Sequence, residues 1–595
     1  MRKLFIAAAA LLVSQLSYAQ VSSRQTLPDE TERLVSTGKL WVTVKYFHPY
    51  LAYRNIDWDK ALIDALPNIR AAKTSAEYTA AIDSMLGALK DPETRVRSEA
   101  PVPVEATPQR AWIHYGLAPA VGAGSPSFYS AFLVKTGSET VSIPMGGFAA
   151  SVRLTEPAPA SSASPAPQPD RAYAETPYPS PELRILALYK IWGVIHYFFA
   201  YRDLMDEDWD ELLPTFLPKF IYAKDARAYN LTISEMLVHA ADSNTGATSA
   251  TLADYFGNSP PGLRLRLVEK QAVITEVLDP AAAGVRIGDV VKSVDGETLI
   301  DRFKRESQYV SASTVPDLGF SVLGSILNGP DASVARLTLE DRAGQRKEAS
   351  LKRSAAYSAR LAKQRTGDAV KLLPGNIGYA DLDRLLPEEV EAMFQKFHDA
   401  KAIIFDARGA AAPAASAIAS GLASDPDVAT AIVTGPLTLA PDVPQRGNAT
   451  KSASYFSVQT LGASGRPSDK PKFTGTTVML TDERTIGAAE HAGLLLEVAN
   501  KTEFIGTPSA GANSSLSNFV VPGDVVISFS GQDIRHANGG KLQRLGIQPN
   551  IAAPATLTGI RSGKDETLDK AIEFLTPQPP AAKKRLAALT TSKPL

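Results

Sequence analysis

A chain of 595 residues exceeds what one hydrophobic core organises, so roughly three or four domains are expected. Its 62 basic and 63 acidic residues leave a net charge of −1, which provides no field to draw nucleic acid or an anionic membrane. The absence of cysteine excludes disulfides, thiolate zinc sites and a cysteine nucleophile.

The first residues read as a targeting segment. "MRK" is charged, "LFIAAAALLV" is a short apolar run and "SYA" ends in small residues, so 1–19 is expected to be a secretory signal peptide cut after Ala19. The run is too short for a permanent transmembrane anchor, and no transmembrane segment is expected. The mature chain is therefore expected to be exported and soluble, most simply periplasmic.

Two helical segments follow at a constant offset. "KLWVTVKYFHPYLAYRNIDWDKALIDALPNIRAAKTSAEY" starts at Lys39 and "KIWGVIHYFFAYRDLMDEDWDELLPTFLPKFIYAKDARAY" at Lys190, 151 residues later. Trp41 matches Trp192, "DWD" recurs, and Pro67 matches Pro218. The apolar periodicity in each is helical, which makes 20–100 and 183–255 two copies of one module. The copies end alike, at "KDPETRV" and "ADSNTGA". Between them, 101–155 shows short alternating runs broken by Pro and Gly, expected to be strands. Residues 156–182, rich in Pro, Ala and Ser, are expected to be a semi-stiff linker.

From Pro260 alternating strands flank "PAAAGVRIGD", expected to hold a short helix closed by a turn. The stretch "AAAGVRIGDVVKSVDGE" resembles a PDZ domain, placed at 256–355. That likeness implies capture of an extended peptide as an added strand, its terminal carboxylate held on the loop of Pro261, Gly262, Leu263 and Arg264. The plainer alternative is a small barrel that only packs. From 370 to 577 strands and helices alternate: "NIGYADLD", "LPEEVEAMFQKFHDA", "KAIIFDARG", "AAPAASAIASGLAS", "TTVMLTDE", "AAEHAGLLLEVAN" and "TEFIGTPSAG". Such alternation puts functional loops at strand ends. Residues 578–595 form a tail.

Four stretches, "AIIFDARG", "MLTDERTIGAAEHAG", "EFIGTPSAGANSS" and "LQRLGIQPNI…GKDETLDKAIEFL", resemble the tail-specific, or C-terminal-processing, serine protease family, including its tricorn-core-like branch. The resemblance runs from about 183 to 577. It implies a multidomain α+β protein: a duplicated helical module, a PDZ-like β domain and an α/β core of the crotonase and Clp type.

It also implies where catalytic groups would stand. In the branch's T-x-S-x-x-E loop, the nucleophile position falls on Gly487. The base of its D-x-H-T segment falls on Asn244, preceded by Ser243, and Glu93 occupies the matching place in the first copy. The orienting carboxylate falls on Gln543. In the Ser–Lys branch the lysine falls within Ala510 to Asn513, on Ala512. The oxyanion donors would be Ala488 and Gly409, although "GAAAPAAS" lacks the Asn/Gly-rich loop of the family. A glycine has no attacking atom, and an amide is no base near neutral pH.

Other residues have ordinary explanations. Thr485 is expected to cap the helix that Glu490 closes. Ser509, Ser514 and Ser515 sit on a loop where small polar residues usually satisfy turns. His491 shares a helix face with Gly487, His536 is placed in a hairpin turn, and His48 and His196 in aromatic packing. Asp206, Glu207, Asp208 and Asp210 precede a helix and complement its dipole, and no spacing resembles a metal site. No cofactor is expected.

Three functions follow from these residues. The first is an exported protein that binds extended or unfolded polypeptides, with a preference for C-termini, and cleaves them poorly or not at all. The second is a serine endopeptidase using displaced residues, Ser509 or Ser515 with His491. The third is an assembly role for the helical repeats.

Overall fold

A computed structural model describes residues 27–97, 111–117, 129–134, 140–155, 171–279, 282, 284–362, 365–425, 427–437, 453–461 and 472–576. The expected signal peptide, most of the 156–182 linker and the 578–595 tail lie outside these residues. Among the described residues no helix is long and apolar enough to cross a membrane.

The first helical region comprises Glu30–Phe47, Trp58–Ala71 and Ser75–Gly87, and the second Pro181–Phe198, Trp209–Ile221 and Ala226–Val238. Every one of these helices starts from a side-chain cap: Asp29, Asp57, Thr74, Ser180, Asp208 and Asp225 each accept an N–H of the first turn. Their C-termini share an unusual device. The buried guanidinium of Arg33 donates to the carbonyls of Pro28, Ile69 and Arg70, and that of Arg184 to those of Pro179, Phe220 and Ile221. In each region two of the three carbonyls are end groups that the second helix cannot satisfy itself. Each arginine thus closes that helix from below while tying it to the first. Trp58 and Trp209 donate their indole N–H to the carbonyls of Trp41 and Trp192 in the same way.

The two regions pack directly on each other. Tyr189 donates to the Leu34 carbonyl at 2.5 Å, its ring lies against Gly38, and the buried Lys190 ammonium reaches Asp59 at 3.0 Å. They differ in what they rest on. After matching Asp–x–x–Thr turns, in which Thr94 donates to Asp91 and Thr245 to Asp242, each region gives a three-residue strand. Arg95–Arg97 pairs with Ala149–Arg153, part of a local hairpin. Gly246–Thr248 instead pairs with Val525–His536 of the C-terminal core. The Asp91 carboxylate accordingly takes Arg153, whereas Asp242 takes the Ser530 hydroxyl.

The 171–182 end of the expected linker is not free. Tyr173 is buried, and the helix beginning at Pro181 is capped by Ser180, because an aromatic ring among the prolines finds a place on the helical core.

Residues 263–352 form a sheet in the order Arg346–Lys352, Val334–Glu340, Val290–Val294, Gln271–Val277, Leu263–Val268. Helix Val315–Ser325 lies along the edge strand Leu263–Val268, with Gly319 so close to Leu267 that an added Cβ would sit 3.1 Å from it. Residues 280, 281 and 283 of "PAAAGVRIGD", where the short helix is expected, lie outside the described residues; the turn expected to close it is present at 284–288. Gly284 and Gly288 hold positive φ, 81° and 89°, which unwinds a right-handed turn.

The core carries two sheets. One runs Val370–Leu373, Ile377–Asp381, Ala402–Asp406, Thr476–Thr481, Glu503–Gly506, Ile551–Ala552, parallel from its second strand onward. Its central strands are apolar and buried on both faces, as parallel strands require. The other sheet is antiparallel, with Val525–His536 between Ala429–Leu437 and Ser514–Val521.

Candidate functional site

The strand Thr476–Thr481 leads into a tight turn and then the helix Ala488–Asn500. The turn is tied down at both ends. The Asp482 N–H donates to the Thr485 hydroxyl at 3.1 Å, and that hydroxyl donates to the Ala407 carbonyl of the neighbouring strand's end at 2.8 Å. Thr485 therefore anchors the turn to the sheet instead of capping the helix. The cap residue is Gly487, at φ 57° and ψ −111°. This is the sharp strand-to-helix elbow on which hydrolases expose a nucleophile. A Cβ at 487 would meet no atom within 4 Å, so the vacant side-chain position opens onto free space.

Asn244 connects to this elbow through an intervening loop. Its amide Nδ2 donates to the Ala512 carbonyl at 2.8 Å, and is 3.1 and 3.2 Å from the hydroxyls of Ser514 and Ser530. Ala512 in turn donates its N–H to Glu490, which also accepts the N–H of Gly487. The structure thus brings the two positions expected to hold nucleophile and base into one hydrogen-bonded chain. Gln543 joins the same network by donating to Asp242 at 2.9 Å and to Ser313 at 3.2 Å. Ser243 donates to Asp317 at 2.6 Å and accepts the Ser313 N–H at 2.8 Å.

Two residues that the sequence did not single out organise this polar centre. Asp242 is fully buried and accepts from Thr245, Ser530 and Gln543; burial pushes its carboxyl up against those bonds. Asp317, almost fully buried, is pushed up to about 6, by burial first and then by the nearby charges of Asp242 and Glu483, against the Ser243 bond. The matching Asp–x–x–Thr turn of the first copy was the sequence signal that could have found Asp242. Asp317 had none, because it reaches Ser243 from 74 residues away.

The expected oxyanion donors are differently placed. Ala488 opens its helix, where the backbone N–H has no earlier turn to bond. The Gly409 N–H donates to the Ala407 carbonyl at 2.8 Å, and the neighbouring Ala411 N–H to Asp383 at 3.0 Å. The Asp383 carboxylate touches Gly409 closely enough to exclude a Cβ there. In the inserted domain, Gly262 and Leu263 are buried, Arg264 pairs with Glu276 at 2.8 Å, and the Tyr357 ring lies over Gly262. Access to that loop requires Tyr357 to move.

Two of the serines hold hydrogen bonds of their own. Ser509 is buried, donates its hydroxyl hydrogen bond to Glu490 at 2.5 Å and accepts the Ile547 N–H. Ser514 donates to Ser530 at 2.7 Å, and Ser515 lies in the edge strand Ser514–Val521. His491 is lowered by burial, and its Nδ1 has no hydrogen-bond partner among the described residues. His536 ends its strand and opens the turn that follows, its carbonyl accepting the Gly539 N–H at 2.8 Å and its ring bonding Glu497. His48 bonds Asp91 and Thr94, and His196 bonds Asp210, both inside the helical regions. Of the acidic cluster, Asp208 caps its helix and Asp206 pairs with Arg544. Among the described residues no three His, Asp or Glu side chains converge as metal ligands.

Residues 376–553 match the model of peptidase family S41. No curated protein matches the chain by sequence. Among solved structures, a point mutant of CPAF is 13% identical with a TM-score of 0.50, covering 66% of this chain and 96% of its own. Mature CPAF complexed with lactacystin is 12% identical, TM-score 0.49, over 66% and 97%. The photosystem II D1 C-terminal processing protease is 16% identical, TM-score 0.38, over 64% and 98%. At 13% identity the likeness to the CPAF mutant is one of fold alone.

Proposed function

Residues 376–553 belong to peptidase family S41, and on that premise we propose that this chain binds extended polypeptides beside Gly487 without hydrolysing them. The observation that carries this reading is the pairing of Gly487 with Asn244. The elbow is retained, its side-chain position is open, and the residue at the base position, linked to it through Ala512 and Glu490, is an amide that donates to a carbonyl and lies between two serine hydroxyls. An amide nitrogen with that bonding takes no proton from a nucleophile or a water. Loss of either partner in a triad costs about a million-fold in rate, leaving binding as the retained capacity.

The finer parts of the proposal rest on the sequence. Residues 1–19 direct export to the periplasm, 20–100 and 183–255 are one duplicated helical module, and 256–355 is a PDZ-like domain that takes a C-terminus on Gly262, Leu263 and Arg264. The recurrence of the Arg33 contacts at Arg184 supports the duplication, and the free edge of Leu263–Val268 supports strand addition once the helix beside it yields.

The test uses the mature chain and fluorescein-labelled β-casein. The expected result is binding without cleavage, and proteolysis in the double variant Gly487→Ser, Asn244→His. Cleavage by the unaltered chain, abolished by Ser515→Ala or Ser509→Ala, overturns the reading in favour of a displaced-residue endopeptidase. Binding that survives in the core's absence and is lost with 20–182 assigns the role to the helical repeats instead.

A further inference from the structure

We propose that Glu490 is the positioning residue that locks the Gly487 elbow to loop 509–512, and through it to Asn244, so that one carboxylate fixes how these parts stand at the peptide site proposed beside Gly487. This rests on that site being where a polypeptide binds, and it names what holds the site together. Glu490 is fully buried. Its two oxygens divide the work. Oε1 accepts the Ser509 hydroxyl at 2.5 Å and the Gly511 N–H at 2.7 Å; Oε2 accepts the Ala512 N–H at 2.9 Å and the Gly487 N–H at 3.1 Å.

Each oxygen therefore grips the 509–512 loop, and one of them also grips the elbow. The loop passes the constraint outward. The Ala512 carbonyl accepts Asn244, the Ala510 carbonyl accepts the Thr314 hydroxyl of the inserted domain, and Ser509 holds the Ile547 N–H. Three separate parts of the chain are thus referred to a single side chain.

The electrostatics fit a fixed carboxylate held by dipoles alone. Among the described residues no Lys or Arg pairs with Glu490, and burial pushes its carboxyl up, opposed by the same donors. Its place in the first turn of the helix adds the favourable end of the helix dipole. Charge-assisted bonds from three backbone N–H groups and one hydroxyl are directional, and no neutral side chain of the same shape reproduces them. A glutamine must turn its NH2 group toward at least one of these backbone N–H donors, so at least one of the four bonds fails and a second must reverse or fail.

The experiment compares the full chain with Glu490→Gln and Glu490→Asp by amide hydrogen exchange and by binding of fluorescein-labelled β-casein. With Gln, exchange at Gly487, Gly511 and Ala512 is expected to rise about tenfold or more while Val478, Met479 and Leu480 of the central strand stay unchanged, because the loss is local. Casein affinity is expected to fall about fivefold or more in the same variant, with Asp restoring part of both effects. Should Gln fail to fold, Asp alone carries the same two readouts. Uniformly faster exchange, or none, overturns the lock. Selective exchange with unchanged casein affinity overturns its hold on the proposed peptide site. Absence of casein binding by the unaltered chain sinks the binding function instead, while the exchange pattern still decides the lock.

Discussion

Ser243 donates its hydroxyl to Asp317 at 2.6 Å, a bond that joins the end of the second helical region to the inserted domain. Two further contacts flank it: Ser243 gives its N–H to the Ser313 hydroxyl, and Asp242 gives its own to Ser311. The segment 311–317 thus sits against the residues around Asn244. How firmly it sits depends on the Asp317 carboxyl, which has no positive partner among the described residues.

That carboxyl gives a pH dependence. Burial holds Asp317 at about 6 against an ordinary 3.8, so the folded chain keeps a proton that the unfolded chain has lost between those values. The stability it contributes is full below the lower value and is lost as pH rises through the upper one. Asp317→Asn is expected to gain about 1–3 kcal/mol relative to the unaltered chain between pH 4 and pH 7, since one pKa unit is worth about 1.4 kcal/mol. Urea unfolding at three pH values measures this, and parallel profiles for the two proteins would contradict it.

The elbow should tolerate a side chain that its neighbour cannot. Gly487 has open space and only a positive φ to oppose substitution, so Gly487→Ser is expected to cost about 1–2 kcal/mol. At Gly506 a Cβ would fall 2.0 Å from the Thr481 carbonyl of the paired strand, with φ 139°. Gly506→Ser is expected to cost more than about 4 kcal/mol or to prevent folding. Thermal melts of the two variants rank them; equal losses would mean the elbow is more crowded than its geometry indicates.

The arginine clasps should weigh unequally. All three Arg184 bonds are buried, whereas two of the three at Arg33 are partly exposed. Leaving buried carbonyls unpaired costs about 1–3 kcal/mol each, so Arg184→Met is expected to lower stability by about 3 kcal/mol or more and Arg33→Met by less. Chemical denaturation of both variants checks the order.

Arg266 links the inserted domain to the elbow. Its guanidinium reaches Asp482 at 3.1 Å and Glu483 at 2.8 Å, with all three side chains mostly shielded. Asp482 keeps Arg484 as a second partner, which moderates the loss. Arg266→Gln is expected to destabilise by about 1–3 kcal/mol, with little dependence on salt because the pair is shielded. A loss that disappears at high ionic strength would show the pair to be solvent-exposed.

Much of the core was legible. The strands at 377–381, 402–406 and 476–481 and the helix at 488–500 declare themselves because a buried parallel strand is a short apolar run and a helix repeats every 3.6 residues. Thr485 was misjudged because its partner, the Ala407 carbonyl, stands 78 residues away.

The sequence by itself determined the chemistry available: a glycine and an asparagine, with no cysteine anywhere, leave no attacking atom and no base at the positions the resemblance picks out. Only the folded chain decided that Gly487 and Asn244 are joined in one hydrogen-bonded chain through Glu490 and Ala512, with Asp242 and Asp317 bonded to the residues around Asn244. Composition is local and is read residue by residue, whereas a buried carboxylate acquires its meaning from donors that chain folding brings from distant segments. The 268 residues separating Asn244 from the Ala512 carbonyl carry no pattern that announces the bond between them.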